Sequence, residues 1–555
     1  MNDLIIHGGT VVDGTGAPGS AADVLVLEGM VASIQPPGTL RDGVAAGVPR
    51  IDADGRVVCP GFIDLHSHGD LILALEDEEL RRRLILGRVA QGITTEIVGN
   101  CGLGPAPVVA AHEAALRGVL AWMTPVDRPW PWRGIGEYLD HLERIGVPIN
   151  VGTLVAHGAL RIAQEGLSRD LSSKIQVTAM RNALDDALSQ GAFGMSVGLI
   201  YPPGSFTPSE DIEPLAEVLS GYGALLTAHV RGSSETLLDA VEEILTWGRR
   251  TGVRIHHSHN EAVGPDHWAK IPLVLEREER ARRSGVRVTF DMFPYTAAAT
   301  TMAAIFPPWA LEGGLAALVA RLRDPAARAR IGADVAGVTP SWPPWGEGGW
   351  AHNLVSAVGW ERITIGTIGG DSSRGAEGLN LGSLARREGK APFEAIADLM
   401  VAAEGRVSQI IHGVSGEDGD DPGLVSLMVD QHAAICTDAN DTGRGLPHPA
   451  AYGAFPRILG HFVRERQVMP LEEAIRKMTS YPASILGLAD RGVLRTAAAA
   501  DIVIFDPATV GSAATFQDPR RPASGIDSVI VNGEVVCQRG RLQGGRPGVV
   551  LRREK

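Results

Sequence analysis

The sequence predicts an α/β protein: a (β/α)8 barrel of the TIM type, a small β-sandwich domain built from both termini, and an insertion near the barrel mouth. Short apolar strands alternate with helical stretches through the middle of the chain, which is typical of βα units and a parallel sheet. Eight such strands can be counted, which fits a closed barrel, although an open sheet fits the same alternation. At both ends, alternating β-branched residues broken by Gly, Asn and Asp indicate hairpins instead.

These changes of pattern divide the 555 residues into three parts. Residues 1–58 and 491–555 are predicted to form the small β-domain together, and residues 59–490 to form the barrel. Within the barrel, residues of about 303–420 exceed what the strand count needs. Because Trp342, Trp345 and Trp350 lie there among Pro and Gly, we interpret this stretch as an insertion that covers the barrel mouth.

Composition narrows the partners and the compartment. A formal net charge of −14 disfavours a broad nucleic-acid or anionic-membrane surface. No apolar run reaches the ~18 residues that a membrane span needs, and the start of the chain lacks a signal-peptide pattern. Four scattered cysteines favour a reducing compartment over a disulfide framework. We therefore expect a cytoplasmic protein with a small-molecule substrate, and the sequence leaves a homo-oligomer open.

Two short motifs match catalytic signatures but lack the structural context that those signatures need. The segment "GTGAPG" (14–19) has the spacing of a dinucleotide fingerprint, yet a strand-like segment follows it where a helix is required, so it predicts a hairpin turn. The segment "GMSVG" (194–198) has the spacing of a nucleophile elbow. Pro202 and Pro203 forbid the helix that must follow such a serine, which disfavours Ser196 as a nucleophile.

The strand ends carry a more informative set of residues, because functional side chains of a parallel barrel lie at the carboxyl ends of its strands. The predicted strands place there His66, His68, Cys101, His157, Tyr201, His229, His259, Tyr295 and Asp438. Imidazole, thiolate and carboxylate are the ligands that zinc takes, so this set predicts a zinc-type site. In "HHSHN", His259 is favoured as the ligand because it lies at the strand end, with His256 and His257 beside it.

The sequence resembles the amidohydrolase superfamily, and more closely its N-acyl-D-amino-acid deacylase (D-aminoacylase) branch. The residues that carry the resemblance are "PGFIDLHSHGD", "GITTEIVGNCG", "AHGALR", "GAFGMSVGLIYPPG", "TAHVRG", "DMFPYTA" and "HPAAYGAFPRILG". Many members of the superfamily bridge two metals with a carbamylated lysine, but none of the five lysines here lies at a predicted strand end. The deacylase branch uses a cysteine instead, which "GNCG" supplies as Cys101.

The resemblance implies a zinc-dependent hydrolase of linear amide C–N bonds. It implies that Cys101, His229 and His259 hold the tightly bound zinc, and that His66, His68 and Asp438 frame an adjacent, weaker metal position. Asp438 is then expected to act as the general base that takes a proton from water and returns it to the departing amine. His157, Tyr201 and Tyr295 are expected to contact the substrate.

Two departures from the deacylase pattern concern the substrate. Glu261 stands where the deacylases usually carry lysine, and Ala450 stands where they usually carry arginine after His-Pro. Arg231 and Arg444 are expected to compensate by binding a substrate carboxylate, since guanidinium binds carboxylate in a forked geometry. Otherwise neutral amides, anilides, carbamates or ureas become the expected substrates, with the Trp-rich insertion lining their pocket. A hydantoinase-like enzyme is disfavoured by the missing lysine, and the alternative of another class is a catalytically inactive binding scaffold.

Overall fold

A computed structural model describes residues 3–40, 47–344, 349–369, 374–417 and 421–554. Its strands are β1 (Leu4–Val11), β2 (Ser20–Leu27), β3 (Met30–Gln35), β4 (Arg50–Asp52), β5 (Val57–Pro60), β6 (Phe62–Asp64), β7 (Ile93–Val98), β8 (Asn150–Thr153), β9 (Val155–Ala156), β10 (Gly194–Gly198), β11 (Leu225–His229), β12 (Arg254–His257), β13 (Val288–Met292), β14 (Ala297–Thr301), β15 (Ile363–Ile368), β16 (Val407–His412), β17 (Ala433–Ile435), β18 (Ile502–Phe505), β19 (Ile526–Val531), β20 (Glu534–Gln538) and β21 (Arg541–Leu542).

Its α-helices are α1 (Asp70–Leu73), α2 (Glu78–Ala90), α3 (Glu113–Val119), α4 (Ile135–Ile145), α5 (His157–Glu165), α6 (Lys174–Ser189), α7 (Ser209–Tyr222), α8 (Leu237–Thr251), α9 (Ile271–Arg283), α10 (Gly314–Arg323), α11 (Pro325–Gly337), α12 (Leu354–Val358), α13 (Leu381–Glu388), α14 (Pro392–Ala402), α15 (Pro422–Val429), α16 (Ala450–Arg457), α17 (Leu471–Met478) and α18 (Ser480–Leu486). A π-helix covers Ile458–Glu465. The 3₁₀-helices are Ala110–His112, Ala121–Met123, Gly204–Phe206, Pro265–Lys270, Met302–Ile305, Pro308–Leu311, Trp360–Arg362 and Arg374–Ala376.

Two parallel sheets contain the strands that position the site. Their orders are β6–β7–β8 and β9–β10–β11–β12–β13–β17. Each of the eight apolar runs predicted as barrel strands contains at least one of these strands, so the α/β class with parallel sheets is confirmed. The predicted runs are 61–68, 94–102, 149–158, 191–199, 223–230, 253–260, 286–295 and 433–440. Beyond β17, the Thr437 N–H donates to Asp64 Oδ1 (3.1 Å), and the Asp438 N–H donates to the His66 carbonyl (3.0 Å). The chain after the last strand therefore lies beside the chain after the first.

The helices between these strands begin where the sequence supplies capping groups. The Asp77 side chain accepts a hydrogen bond from the Leu80 N–H at the start of α2, and Ser173 and Gln176 form a capping box at the start of α6. Both helices, and α8 and α9, lie in the four stretches that the sequence predicts as helical, which are 77–92, 174–191, 233–252 and 267–285. Each cap satisfies an N–H that the first turn of a helix leaves unpaired.

Strands from both ends of the chain form one nine-stranded sheet in the order β21–β20–β19–β18–β5–β1–β2–β3, with β4 beside β1. The segment 14–19 connects the antiparallel strands β1 and β2, so the predicted hairpin is confirmed. Strands β5 and β18 join the two chain ends, and Arg56 Nε donates to Asp527 Oδ2 across the same junction (2.6 Å). This sheet leads straight into the site, because β6 follows β5 with one residue between them.

The stretch interpreted as an insertion contains β15, β16 and α10 to α14, and its two strands form an antiparallel sheet with β14 in the order β14–β16–β15. The β14 strand ends at Thr301, just before this stretch, so the insertion builds on an extension of the chain after β13. Trp350 is buried, and Trp345 lies outside the described residues.

None of the described helices is long and apolar enough to cross a membrane. All four cysteines are buried and free of disulfide bonds.

The serine of "GMSVG" supports a neighbouring turn of the backbone. Ser196 lies inside β10, and its hydroxyl donates to the Gly99 carbonyl (2.5 Å) and accepts from the Gly102 N–H (2.9 Å). A 3₁₀-helix, Gly204–Phe206, follows β10 where an elbow would need an α-helix. The buried hydroxyl therefore holds the turn that contains Cys101.

Replacing Gly198 with alanine is expected to displace the Cys101 turn. A Cβ at Gly198 would overlap the Cys101 carbonyl oxygen and would lie 2.9 Å from Tyr201 Cδ2. Overpacking of this kind costs about 1–3 kcal/mol, and backbone atoms cannot move aside as a side chain would. Urea unfolding measures the loss. Gly118→Ala is the matched control, because nothing lies within 4 Å of its Cβ; equal stability of the two variants would contradict this close packing.

Candidate metal centre

Five loop or strand ends bring six potential ligands together. His66 and His68 follow β6, Cys101 follows β7, and Asp438 follows β17; His229 ends β11, and His259 follows β12. All six are nearly or fully buried. The ligand atoms of His66, His68, Cys101 and Asp438 lie within 4.8 Å of one another, and so do those of Cys101, His229 and His259. The two groups share Cys101.

The distances show how tightly the shared thiol is surrounded. Cys101 Sγ lies 3.2 Å from His66 Nε2 and 3.5 Å from His259 Nε2. Asp438 Oδ1 lies 3.2 Å from both His66 Nε2 and His68 Nε2. Imidazole nitrogens thus surround two potential anions, which is the composition of a site for a divalent metal.

Electrostatics favour the anionic forms of these two groups. Burial opposes ionisation of the Cys101 thiol, but the surrounding imidazoles of His66, His229 and His259 hold its pKa well below the usual value. Burial likewise opposes ionisation of Asp438, and His66 and His68 outweigh it, so the pKa of this carboxyl is also lowered. Burial and the charge of His259 lower the pKa of His229 to about 4. Burial opposes protonation of the other rings, but Asp438 and Cys101 raise the pKa of His68 to about 9, and Cys101 and Glu261 raise that of His259 to about 10. Because thiolate, carboxylate and neutral imidazole are the forms that bind metal, these rings release protons when a metal binds.

Three of the six residues adopt the left-handed backbone region that non-glycine residues rarely occupy. Their φ angles are 53° at Cys101, 34° at His259 and 45° at Asp438. Each stands just past the end of a parallel strand, where a turn of the backbone directs the side chain across the strand ends. Such conformations cost of order 1–3 kcal/mol each and persist where the surrounding structure requires them, often at functional sites.

Asp291, in β13, supports the site from beneath. Its Oδ2 accepts hydrogen bonds from His66 Nδ1 (3.1 Å) and His256 Nε2 (2.8 Å), and its Oδ1 accepts from the His259 N–H (2.5 Å). When Nδ1 of His66 carries the proton that it donates to Asp291, Nε2 of the neutral ring has a lone pair directed toward Cys101 and Asp438. His257 is turned away from the cluster and bonds to Glu278 (2.8 Å).

Asp291→Asn is expected to weaken metal binding by about 10- to 100-fold, the usual cost of losing a partner that orients ligand histidines. One of the two oxygens that hold His66 and His259 becomes an amide nitrogen. Competition with a chromogenic chelator measures the zinc affinity. Asp54→Asn, an exposed position in a turn, makes the same chemical change elsewhere. Unchanged zinc affinity in the Asp291 variant would remove it from this role.

The ligand cluster opens into a small cavity of about 30 Å³. Besides five of the six ligands, its described lining is Trp122, Ile200, Tyr201, Ser233, Glu261, Val263, Ala298, Ala299, Thr300, His352, Leu354 and Ile411. The insertion contributes His352, Leu354 and Ile411, but none of its described tryptophans. Tyr201 lies beside the His229 ring (5.1 Å between ring centroids), and its hydroxyl is 2.7 Å from Thr300 Oγ1.

The two arginines expected to bind a substrate carboxylate lie elsewhere. The Arg231 guanidinium is buried in a two-pronged ion pair with Glu243 (2.9 and 3.1 Å) and donates to the Thr207 carbonyl. Arg444 lines a wider cavity with Arg117 and Arg406, and this cavity adjoins the metal cavity at Trp122, which lines both. Neither arginine belongs to the described lining of the metal cavity. Glu243 holds the Arg231 side chain, and Arg444 lies in the loop that follows Asp438.

His157 and Tyr295 also stand outside that lining. His157 begins α5 and is fully buried, and its burial and the nearby Arg161 and Arg231 lower its pKa to about 3. The Tyr295 ring packs against His448 (5.0 Å between centroids), under the Arg457 guanidinium. Burial raises the pKa of Tyr295 to about 12. Of the expected substrate contacts, Tyr201 alone lines the described cavity beside the ligands.

Parallel strands that direct imidazole, thiol and carboxylate groups into one buried cavity define a metal-dependent hydrolase of the α/β class. The chain belongs to the amidohydrolase family, whose model matches residues 50–537.

Characterised relatives share the whole length of the chain. It is 34% identical to the N-acyl-D-glutamate deacylase of Alcaligenes xylosoxydans xylosoxydans, over 100% of this chain and 97% of that protein. It is similar to the structure of N-acyl-D-glutamate deacylase from Bordetella bronchiseptica, complexed with zinc and a phosphonate mimic of the tetrahedral intermediate (TM-score 0.79, 31% identity, 99% of each chain). A D-aminoacylase structure that addresses the role of a binuclear metal center matches equally well (TM-score 0.79, 30% identity, 99% of this chain and 100% of that one).

Proposed function

We propose that the protein is a zinc-dependent amidohydrolase that hydrolyses the linear amide bond of an N-acylated amine, as its deacylase relatives do. The observation that carries this proposal is the pair of ligand groups that share Cys101, with Asp438 in contact with both His66 and His68. Its relatives are named for removing acyl groups from D-amino acids, and the reaction type follows from them together with this cluster.

The donor set fits zinc. Cys101, His229 and His259 are proposed to hold the tightly bound ion, with His66, His68 and Asp438 around a second, weaker position. Nδ1 of His229 and Nδ1 of His68 are buried and have no hydrogen-bond partner among the described residues. Mixed sulfur and nitrogen ligands at one end of the cluster favour zinc over magnesium or calcium, which prefer oxygen.

Asp438 and Tyr201 have separate roles in the proposed reaction. Zinc, when bound, supplies Lewis-acid chemistry: it polarises an amide carbonyl and lowers the pKa of water from 15.7 to about 7. Asp438 takes a proton from the attacking water and delivers it to the amide nitrogen, so that the amine departs neutral. Tyr201, beside His229, donates its O–H to the carbonyl oxygen as negative charge develops there.

We also propose that the parallel strands close into a (β/α)8 barrel and that the terminal sheet forms a small β-sandwich domain. The contacts between the chain after β17 and the chain after β6 support closure. A separate hydrophobic core, which includes Ile6, Val24, Val26, Ile502 and Ile530, supports a second domain with boundaries near residues 58 and 491. The insertion then covers the barrel mouth, because it lines the metal cavity. A cytoplasmic location completes the proposal, and a homo-oligomer stays open, as it does from the sequence.

Metal removal and restoration test the proposed function. Dialysis against a chelator is expected to abolish release of acetate from N-acetyl-D-amino acids and their neutral derivatives, and one equivalent of zinc is expected to restore it. Elemental analysis of the purified protein measures zinc per chain. Protein that binds zinc but hydrolyses no N-acyl compound would instead support an inactive binding scaffold.

A further inference from the structure

A second small cavity, lined in part by Gln409, Asn440 and His448, lies beside the metal cavity, and we call it the polar pocket. Its volume is about 30 Å³, which is room for about two water-sized groups. Asp438 and Trp122 line both cavities. The polar pocket therefore meets the metal site at the carboxyl group that is proposed to transfer the proton.

Gln409 presents an acceptor to this pocket. Its Nε2 donates a hydrogen bond to the Thr301 carbonyl (3.0 Å), which fixes the orientation of the side-chain amide. Its Oε1 is buried without a hydrogen-bond partner among the described residues, and the residue as a whole has no exposed surface. Asn440 Oδ1 is buried and unpaired in the same way. Because buried acceptors are normally paired, these two oxygens are suited to accept hydrogen bonds from a bound ligand.

His448 presents a donor to the same pocket. Its Nδ1 accepts a hydrogen bond from the Ala450 N–H (3.1 Å). A backbone N–H can only donate, so the ring carries its proton on Nε2. This Nε2 is buried and has no partner among the described residues. The rings of Tyr295 and Phe516 pack against the imidazole (5.0 and 5.3 Å between centroids) and hold it in place.

These groups select the charge of what enters. The described lining of the polar pocket contains no lysine, arginine or glutamate, and its one carboxyl group, that of Asp438, is in contact with His66 and His68. A carboxylate has no proton to donate to Gln409, and an ammonium group has no lone pair to accept from His448. A hydroxyl or a carboxamide both donates and accepts. The pocket therefore matches a small, neutral, polar group.

We propose that the polar pocket binds a hydroxyl or carboxamide group carried by the departing amine. Asp438 delivers its proton to the amide nitrogen, so the substituent on that nitrogen is the part of the substrate nearest to Asp438. The group donates to Gln409 Oε1 and accepts from His448 Nε2–H. N-acylated amino alcohols and N-acylated amino amides form this substrate class. The inference rests on the proposed amide hydrolysis and names the kind of amine that is released.

Substrates of matched shape test the inference. N-acetylglycinamide, N-acetylglycine and N-isobutylacetamide carry a carboxamide, a carboxylate and an apolar group of similar size. N-acetylethanolamine, N-acetylethylenediamine and N-propylacetamide form a second series with a hydroxyl, an ammonium and a methyl group. Acetate release by the zinc-loaded protein gives kcat/KM for all six. The carboxamide and the hydroxyl compound are each expected to exceed the others in their series by at least about tenfold, because the others leave buried polar groups unpaired.

Two variants connect this preference to the pocket. Gln409→Leu removes the acceptor, and His448→Phe removes the donor. Each is expected to lower the preference for the carboxamide over the isobutyl compound by about 3- to 10-fold, the worth of one hydrogen bond. Structural damage would lower the rates of all six compounds alike, so the ratio of kcat/KM values isolates the pocket. Gln431→Leu, at an exposed position, is the matched control.

The outcomes separate the inference from the proposed function. If a charged or apolar compound is hydrolysed as well as its neutral polar counterpart, the inference is wrong while amide hydrolysis stands. If Gln409→Leu lowers all six rates equally, Gln409 serves only the Thr301 carbonyl and the inference is likewise wrong. If the zinc-loaded protein releases acetate from N-acetyl-D-amino acids but from none of the six, the inference alone fails. If it releases acetate from none of these compounds, both proposals fail.

Discussion

Replacing Cys101 with alanine is expected to cost the protein its bound zinc and its hydrolytic activity together. Cys101 is the one residue that both ligand groups contain, and its sulfur lies 3.2 Å from His66 Nε2 and 3.5 Å from His259 Nε2. Its removal takes one of the three proposed ligands from the tight zinc position, and it takes a thiolate from beside His66 and His68 at the second position. The loss of zinc affinity should exceed the ~100-fold that removal of an outer partner can cost.

Zinc per chain after gel filtration, and acetate release from an N-acetyl substrate, measure the two effects side by side. Cys537→Ala is the matched control, because it removes another buried thiol, from β20 in the terminal sheet. A Cys101→Ala protein that retained one zinc per chain and its full rate would show that the catalytic centre lies elsewhere.

Asp438→Asn is expected to separate metal binding from turnover. The amide keeps an oxygen near His66 and His68 but cannot accept a proton from water, so zinc should remain while kcat falls. General acid–base catalysis contributes typically 10²- to 10⁴-fold, and the loss is expected in that range. Because the same carboxyl group serves both proton transfers, substrates with better leaving groups should regain only part of the rate.

The contrast with the Cys101 variant makes this result informative. One variant loses zinc and activity, and the other keeps zinc and loses activity. Asp54→Asn, at an exposed turn, is the control for the change of chemistry. Full activity in the Asp438 variant would assign the general base to another residue.

The ligand residues could be predicted because each one interrupts a local pattern. His66, Cys101 and Asp438 follow buried apolar strands, and a polar residue in such a place stands out in the sequence. The same signal was available for Asp291, which lies inside the apolar strand β13, but its role depends on which histidines pack above it. His352 has no such signal, because its neighbours in the chain are ordinary and only the fold of the insertion brings it to the cavity.

The position of the Arg231 side chain could not be predicted from the sequence. Arg231 follows the ligand His229 by two positions, and the pattern gives no warning that its side chain would turn away. Glu243, twelve positions later on α8, binds it from the far side. Arginine is long enough to reach either place, so its partner decides the outcome, and that partner is set by packing between helix and strand.

The sheet shared by the two chain ends bears on how the protein is made. Arg56 and Asp527, which join its halves, are 471 positions apart, and a ribosome that adds about 5–20 residues per second needs roughly half a minute to a minute and a half between them. During that time the edge of β5 that pairs with β18 in the folded protein has no partner strand. This strand directly precedes β6, which leads to His66. A deletion of the C-terminal strands would spare every ligand residue, yet leave newly made chains prone to aggregation and dependent on chaperones.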